Sequence, residues 1–248
     1  MGDPIRSAGG VPVLAVRTAR RCRCARVGPV HVGIVGGTGP LGRALAVRLA
    51  ASGHAVVIGS RDAERAAAAA STLGRTWPGR QLDVSGGANE QAAACELVVL
   101  ATVWDATLPS AMDLAPYLAG KTVVSVANAL VRQGREIHAL VPPRGSIAAA
   151  VQAAVPDAWV SAACQHLPAS TMADLDAELD ADVLVCADRP EAMATTVSLL
   201  GTVAGLRPLE AGTLASAGAV EAFTAVLVNL NIRYKAHSTL RLSGLDQR

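Results

Sequence analysis

Aromatic side chains are nearly absent from this 248-residue chain, which holds one Phe, two Tyr and three Trp. Proteins that bind single-stranded nucleic acid stack bases on aromatic platforms inside a basic groove. A 2% aromatic content and a net charge of +2 supply neither, so no nucleic-acid partner is expected. Uninterrupted apolar runs are also short. None approaches the roughly 20 residues of a membrane helix, and the 51% hydrophobic content reads instead as buried strands and Ala-rich helices, with no membrane partner. Cysteine is scarce and odd in number: Cys22, Cys24, Cys95, Cys164 and Cys186 match no zinc spacing and no disulfide framework. Their pattern predicts no metal site and fits a reducing cytoplasm. Acidic residues are missing from the start, where Asp3 stands alone against Arg6, Arg17, Arg20, Arg21, Arg23 and Arg26. Residues 1–30 are expected to form a disordered or loosely packed extension rather than a targeting signal.

Glycine, by contrast, is placed with purpose. Val32-Gly-Ile-Val-Gly-Gly-Thr-Gly-Pro-Leu-Gly-Arg43 reads as a buried strand, a glycine-rich turn and the opening of a helix over 41–51. Gly37, Gly39 and Gly42 fit the G-x-G-x-x-G dinucleotide fingerprint, in which glycines permit a tight turn, close approach to a pyrophosphate and close helix–strand packing. Thr38, Gly39, Pro40 and Leu41 would then hold the pyrophosphate at the helix N-terminus, where partial positive charge gathers.

The next strand-like run, 54–59, discriminates between dinucleotides. NAD enzymes often follow it with an acidic residue for the ribose 2′-hydroxyl, whereas this chain has Ser60 and Arg61, with Arg65 one helical turn further. A hydroxyl and two guanidinium groups suit a 2′-phosphate, so NADP is expected. The alternative makes Asp62 the ribose ligand and leaves Arg61 solvated.

Beyond this unit the pattern keeps alternating. It predicts a helix over 62–73, a strand over 81–84, a helix over 88–94, strands over 96–102 and 121–127, and a helix through Ile137. Strands over 158–163 and 183–187, a helix over 191–204 and an extended piece from Gly205 follow. Such alternation predicts a Rossmann-like α/β fold, a doubly wound parallel sheet with a C-terminal helical extension, divided as 31–205 and 206–248. Ligand loops gather at the strands' C-terminal edge, which nominates Val103 and Trp104, Asn128 and Ala129, and Gln165 and His166. The acidic run 174–182 reads as a solvated loop. Val220, Phe223, Val226, Leu227, Leu230 and Tyr234 lie at helical spacing, a packing stripe against the sheet or a second subunit.

Gly36-Gly-Thr-Gly-Pro-Leu-Gly42, Ile58-Gly-Ser-Arg61, Gly205-Leu-Arg-Pro-Leu-Glu-Ala-Gly212 and Val220-Glu-Ala-Phe-Thr-Ala225 together resemble the NADPH-dependent coenzyme F420 reductases, or F420H2:NADP oxidoreductases. The tail Asn229-Leu-Asn-Ile-Arg-Tyr-Lys-Ala-His237 is similar to the bacterial branch, and the likeness runs from about residue 31 to 242. It implies a homodimer that passes hydride directly between NADPH and the deazaflavin coenzyme F420, with no side-chain acid, base or nucleophile, because the reacting carbons belong to the two cofactors. By position it places Val103, Asn128 and Ala129 near the nicotinamide, and aligns Leu240 with a residue that closes over the ligands. The chain departs from the family where Gln165-His166 replaces a common His-His pair, and where Val103 replaces a Pro. Arg233, Lys235, His237 and Arg241 are either contacts for an anionic polyglutamate tail or cations at a helix end. Two other readings stay open: an NADPH-dependent reductase of a small imine or carbonyl, with His166 as proton donor, and a non-catalytic NADPH-sensing protein.

Overall fold

The central strand, β1 (His31–Val35), carries Val32, Ile34 and Val35 with no exposed surface, which requires cover on both faces of the sheet. A computed structural model describes residues 28–245; Cys22, Cys24 and most of the expected N-terminal extension lie outside the described residues. After β1 come α1 (Pro40–Ala51), β2 (Ala55–Ser60), α2 (Ala63–Thr76), β3 (Val84–Ala88), α3 (Asn89–Ala93) and β4 (Leu97–Leu100). The chain continues through α4 (Trp104–Asp113), α5 (Ala115–Leu118), β5 (Thr122–Ser125), β6 (Leu130–Gln133), β7 (Glu136–Ala139), α6 (Ile147–Ala154) and β8 (Trp159–Ala162). It then forms α7 (Ala169–Ala173), β9 (Ala181–Ala187), α8 (Pro190–Leu200), β10 (Leu206–Glu210) and α9 (Ala217–Tyr234).

Eight strands join in the order β10-β9-β8-β5-β4-β1-β2-β3. All neighbours are parallel except β8 and β9, so the doubly wound parallel sheet expected from sequence is present with one antiparallel pair that the pattern did not indicate. One face packs on α1, α2, α7 and α8, and the other on α3 to α6 and the start of α9. The helix expected through Ile137 is replaced by a hairpin, β6 against β7, turned at Gly134 with φ +62°. Asn229 of α9 secures it: its Oδ1 accepts from the Ile137 N–H and its Nδ2 donates to the Ile137 carbonyl, both at 2.8 Å. The strand expected over 81–84 sits later, because Gly86 lets β3 lie directly on α2; a Cβ there would fall 2.2 Å from the Ala66 carbonyl oxygen.

Two buried polar groups fasten the helices. Arg48 of α1 donates to the carbonyls of Met172 (2.9 Å), Thr171 (3.1 Å), Ala177 (2.9 Å) and Asp174, stapling the segment around α7 to α1. Glu221 of α9 accepts from the N–H groups of Ile147 (2.9 Å) and Ala148 (3.2 Å), capping α6 with a carboxylate where the helix dipole is positive. Burial pushes its pKa up, against those two bonds. The segment Leu214–Tyr234 has the length and hydropathy of a membrane span. Its apolar residues divide: Val220 and Leu227 face the protein, while Val226, Leu230 and Tyr234 are 50%, 41% and 70% exposed.

Candidate active site

The turn after β1 is shaped by backbone proximity. Gly36 adopts φ +69°, and the Gly37 N–H donates to the carbonyls of Ile34 (3.1 Å) and Gly59 (2.9 Å), pinning the turn to the end of β2. The left-handed residue therefore lies one position ahead of the fingerprint triplet. Gly37 and Gly42 pack on each other, since a Cβ on Gly42 would sit 2.6 Å from the Gly37 Cα. Helix α1 starts at Gly39 with no side-chain cap, no acid in its first turn and Pro40 at the first position. Proline's fixed φ suits that position, and the helix start presents the N–H groups of Leu41 and its neighbours to an anion.

A cleft of about 440 Å³ opens in front of this turn, bordered by Thr38, Gly39, Ser60, Arg61 and Arg65. Among the described residues neither guanidinium takes part in an ion pair. Asp62 is otherwise engaged: its Oδ1 accepts the Arg65 N–H at 3.1 Å as the N-cap of α2, and its own N–H donates to Ser60 Oγ at 3.2 Å. Thr102 borders the cleft from the nominated loop of Val103 and Trp104, and Asn89 and Ser110, which sequence does not single out, border it too. Asn89 Oδ1 accepts the Gly36 N–H at 3.2 Å, a role that its place just after β3, at the strands' C-terminal edge, could have signalled.

The same cleft continues into a slot of about 300 Å³ walled by Pro40, Leu41, Val103, Trp104, Asn128 and Leu130. Gly39, Ala101, Thr102 and Val103 border both halves. Val103 is 70% exposed and Trp104 37%, an unusual exposure for such side chains that leaves a flat apolar surface toward the slot. Buried Thr107 steadies this corner by donating to the Val103 carbonyl at 3.0 Å. Ala129 lies behind the slot, 3% exposed, and does not line it.

Gln165 and His166 are turned inward, each 3% exposed, so neither side chain borders either half of the cleft. Cys164 ahead of them takes a left-handed φ of +68°, a strained conformation that redirects the loop; burial pushes its thiol up to about 12. Gln165 Nε2 donates to the Ser125 carbonyl at 3.3 Å while its Oε1 and Ser125 Oγ have no partner among the described residues. His166 Nε2 meets the Asp182 carbonyl at 2.8 Å, which makes that nitrogen the donor, and buried Nδ1 has no partner among the described residues. Burial lowers its pKa, so the ring is neutral and its one N–H is already spent. Asn128 ties this loop to α9: its Nδ2 donates to the Gln165 carbonyl at 3.0 Å and its Oδ1 accepts from Thr224 at 3.2 Å.

The acidic run needs one correction. Asp182 is not solvated but fully buried, paired with Arg207 and Arg241, because strand β9 starts at 181 rather than 183. Arg241 is thereby committed within the protein, whereas Arg233 and Lys235 are exposed at the end of α9 and His237 Nδ1 meets Ser170 Oγ at 3.0 Å. Leu240 lies against the start of β9, where its carbonyl accepts the Asp182 N–H at 2.8 Å.

The family profile for coenzyme F420-dependent NADP oxidoreductases matches residues 31–129. The chain is 34% identical over 223 residues to the F420-dependent NADP reductase of Methanocaldococcus jannaschii, covering 88% of this chain and 100% of the relative. With the enzyme of the same name from Methanothermobacter thermautotrophicus it shares 30% identity over 237 residues, 88% of this chain and 97% of the relative. A solved chain from Arthrobacter sp. FB24, provisionally assigned as an F420-dependent NADP reductase, superposes with a TM-score of 0.74 at 27% identity, covering 87% of this chain and 100% of that one. A UDP-glucose dehydrogenase from Pyrobaculum islandicum, 19% identical with a TM-score of 0.55, covers 86% of this chain and 50% of its own, and shares the fold alone.

Proposed function

Because the chain belongs to the F420-dependent NADP reductase family, we propose that its two-part cleft holds NADPH and coenzyme F420 side by side for hydride exchange. The protein is an oxidoreductase, and these two molecules are its co-substrates. The observation that carries the assignment of halves is charge: Ser60, Arg61 and Arg65 stand together at the tip of β2 beside the uncapped start of α1, and the adjoining slot is apolar.

In this reading the N–H groups around Thr38 to Leu41 hold the pyrophosphate, and Ser60, Arg61 and Arg65 hold the 2′-phosphate. Asp62 borders the same cleft but spends Oδ1 on the cap of α2, which favours Ser60, Arg61 and Arg65 as the readers of the ribose end. The bound pair supplies the chemistry, a hydride moving between nicotinamide C4 and deazaflavin C5. Residues of the chain supply distance and dryness: Val103 and Trp104 form an apolar wall for stacked rings, and Asn128 fixes the loop on the far side. Gln165 reaches a ring carbonyl only by leaving its 3.3 Å bond to Ser125, a weak bond to give up. His166, buried and neutral with its N–H committed, is poorly suited to donate a proton, which disfavours the imine or carbonyl reductase reading.

The exposed stripe of Val226, Leu230 and Tyr234, with Val131 and Val141 of the neighbouring hairpin and loop, supports a homodimer built on α9. Residues 31–205 form the NADP-binding part and 206–248 the closing and dimerising part. A cytoplasmic location fits buried Cys164 and Cys186, which form no disulfide among the described residues. Mixing the purified protein with NADPH and oxidised F420 and following deazaflavin absorbance tests the reading; bleaching is expected. Intact NADPH binding without bleaching at any pH refutes it.

A further inference from the structure

One buried residue, through its side chain and its peptide groups together, gathers four separated stretches of the chain. The Asp182 carboxylate, with no exposed surface, accepts from Arg207 Nε (2.6 Å) and Nη2 (2.8 Å), from Arg241 Nη1 (3.0 Å) and from the Leu242 N–H (2.6 Å). Its peptide groups are occupied too, the N–H by the Leu240 carbonyl and the carbonyl by His166 Nε2, each at 2.8 Å. Arg207 Nη2 also donates to the Leu242 carbonyl at 2.8 Å. Thus the loop after β8, strand β9, strand β10 and the C-terminal strap of residues 239–242 meet on Asp182.

Burying a carboxylate is unfavourable unless its lone pairs all find donors, and here a bidentate guanidinium, a second guanidinium and a peptide N–H provide them. A core ion pair for stability alone would need only Arg207. The additional contacts to residues 240–242 hold a strap that has no strand or helix of its own. The other end of the network leads to the cleft: His166 follows Gln165, the Gln165 carbonyl accepts from Asn128, and Asn128 lines the apolar slot.

We propose that Asp182 is a positioning residue for the F420 half of the site, locking the C-terminal strap to the Gln165-His166 loop so that the slot keeps one width. This rests on the function assigned above. Losing the carboxylate's contacts frees the strap and unseats the start of β9, whose Asp182 main-chain carbonyl holds His166; the loop then loosens through that peptide, which weakens F420 binding while leaving the NADPH half, built on β1, α1 and β2, untouched.

Arg241→Ala removes only the strap-side guanidinium, which is half exposed, so the variant folds. It is expected to raise KM for F420 about fivefold with KM for NADPH within about twofold, and to speed hydrogen exchange at the Leu242 amide about tenfold. Arg241→Lys is expected to recover most of both effects, and Asp182→Asn to enlarge them. Unchanged exchange at residues 240–242 in these variants, or faster exchange with an unchanged KM for F420, overturns the proposal. Wild-type protein that binds NADPH but never reduces F420 overturns instead the function on which the proposal rests; the exchange measurement, which needs no F420, separates the two failures.

Discussion

Removing the Arg61 guanidinium should separate NADPH from NADH. Arg61 stands exposed immediately after β2, beside the helix that carries Arg65, and the nearby carboxylate of Asp62 is occupied in capping α2. A hydrogen bond to a charged group contributes about 1.5–3 kcal/mol in general, and water and salt at an open cleft hold it to the low end of that range. Arg61→Ala should therefore weaken NADPH binding about tenfold, and Arg61→Ala with Arg65→Ala about a hundredfold. NADH, which has no 2′-phosphate, should shift by less than about twofold. Fluorescence titration of both nucleotides at low and high salt reads this directly, and the wild-type preference for NADPH should shrink as salt rises. Equal losses for NADPH and NADH would mean that the guanidinium groups shape the fold rather than read the phosphate.

Gly42→Ala should lower the melting temperature by about 5–10 °C, because a Cβ placed 2.6 Å from the Gly37 Cα forces α1 off the turn that follows β1. Leu230→Glu, in the middle of the exposed stripe of α9, should leave the circular dichroism intact and halve the mass seen by sedimentation; an unchanged mass would move the subunit contact elsewhere. Asp182 is held below the usual carboxylate range, chiefly by the Arg207 side chain. Its contribution is thus fully present above the ordinary Asp value and is lost as pH falls through the depressed native value. Urea midpoints taken downward from about pH 5 should decline more steeply for wild type than for Asp182→Asn.

The part of the molecule legible in sequence is the part decided locally. β1, α1 and β2 follow from consecutive buried residues and from glycines whose neighbours lie within a few positions, so the glycine-rich turn and the cluster of Ser60, Arg61 and Arg65 could be read directly. The β6–β7 hairpin could not, although Gly134 marks its turn, because what makes Ile137 a strand residue is an amide 92 positions later on Asn229. Asp182 resembled the solvated acids around it for the same reason: Arg207 and Arg241, which justify its burial, are 25 and 59 positions away. The reversal of β9 likewise leaves no mark on a single strand's pattern. Gln165 and His166 do follow β8 at the C-terminal edge of the sheet, but which way their side chains turn depends on the left-handed Cys164 and on carbonyls from β5 and β9.

Val103, set in the wall common to both halves of the cleft, has a kinetic consequence. An aliphatic side chain cannot store a hydride between two half-reactions, and Thr102 and Trp104 beside it have no such capacity either. NADPH therefore cannot discharge and depart before the acceptor arrives. Both must be present at once, and initial-rate plots against one substrate at several fixed levels of the other should converge rather than run parallel.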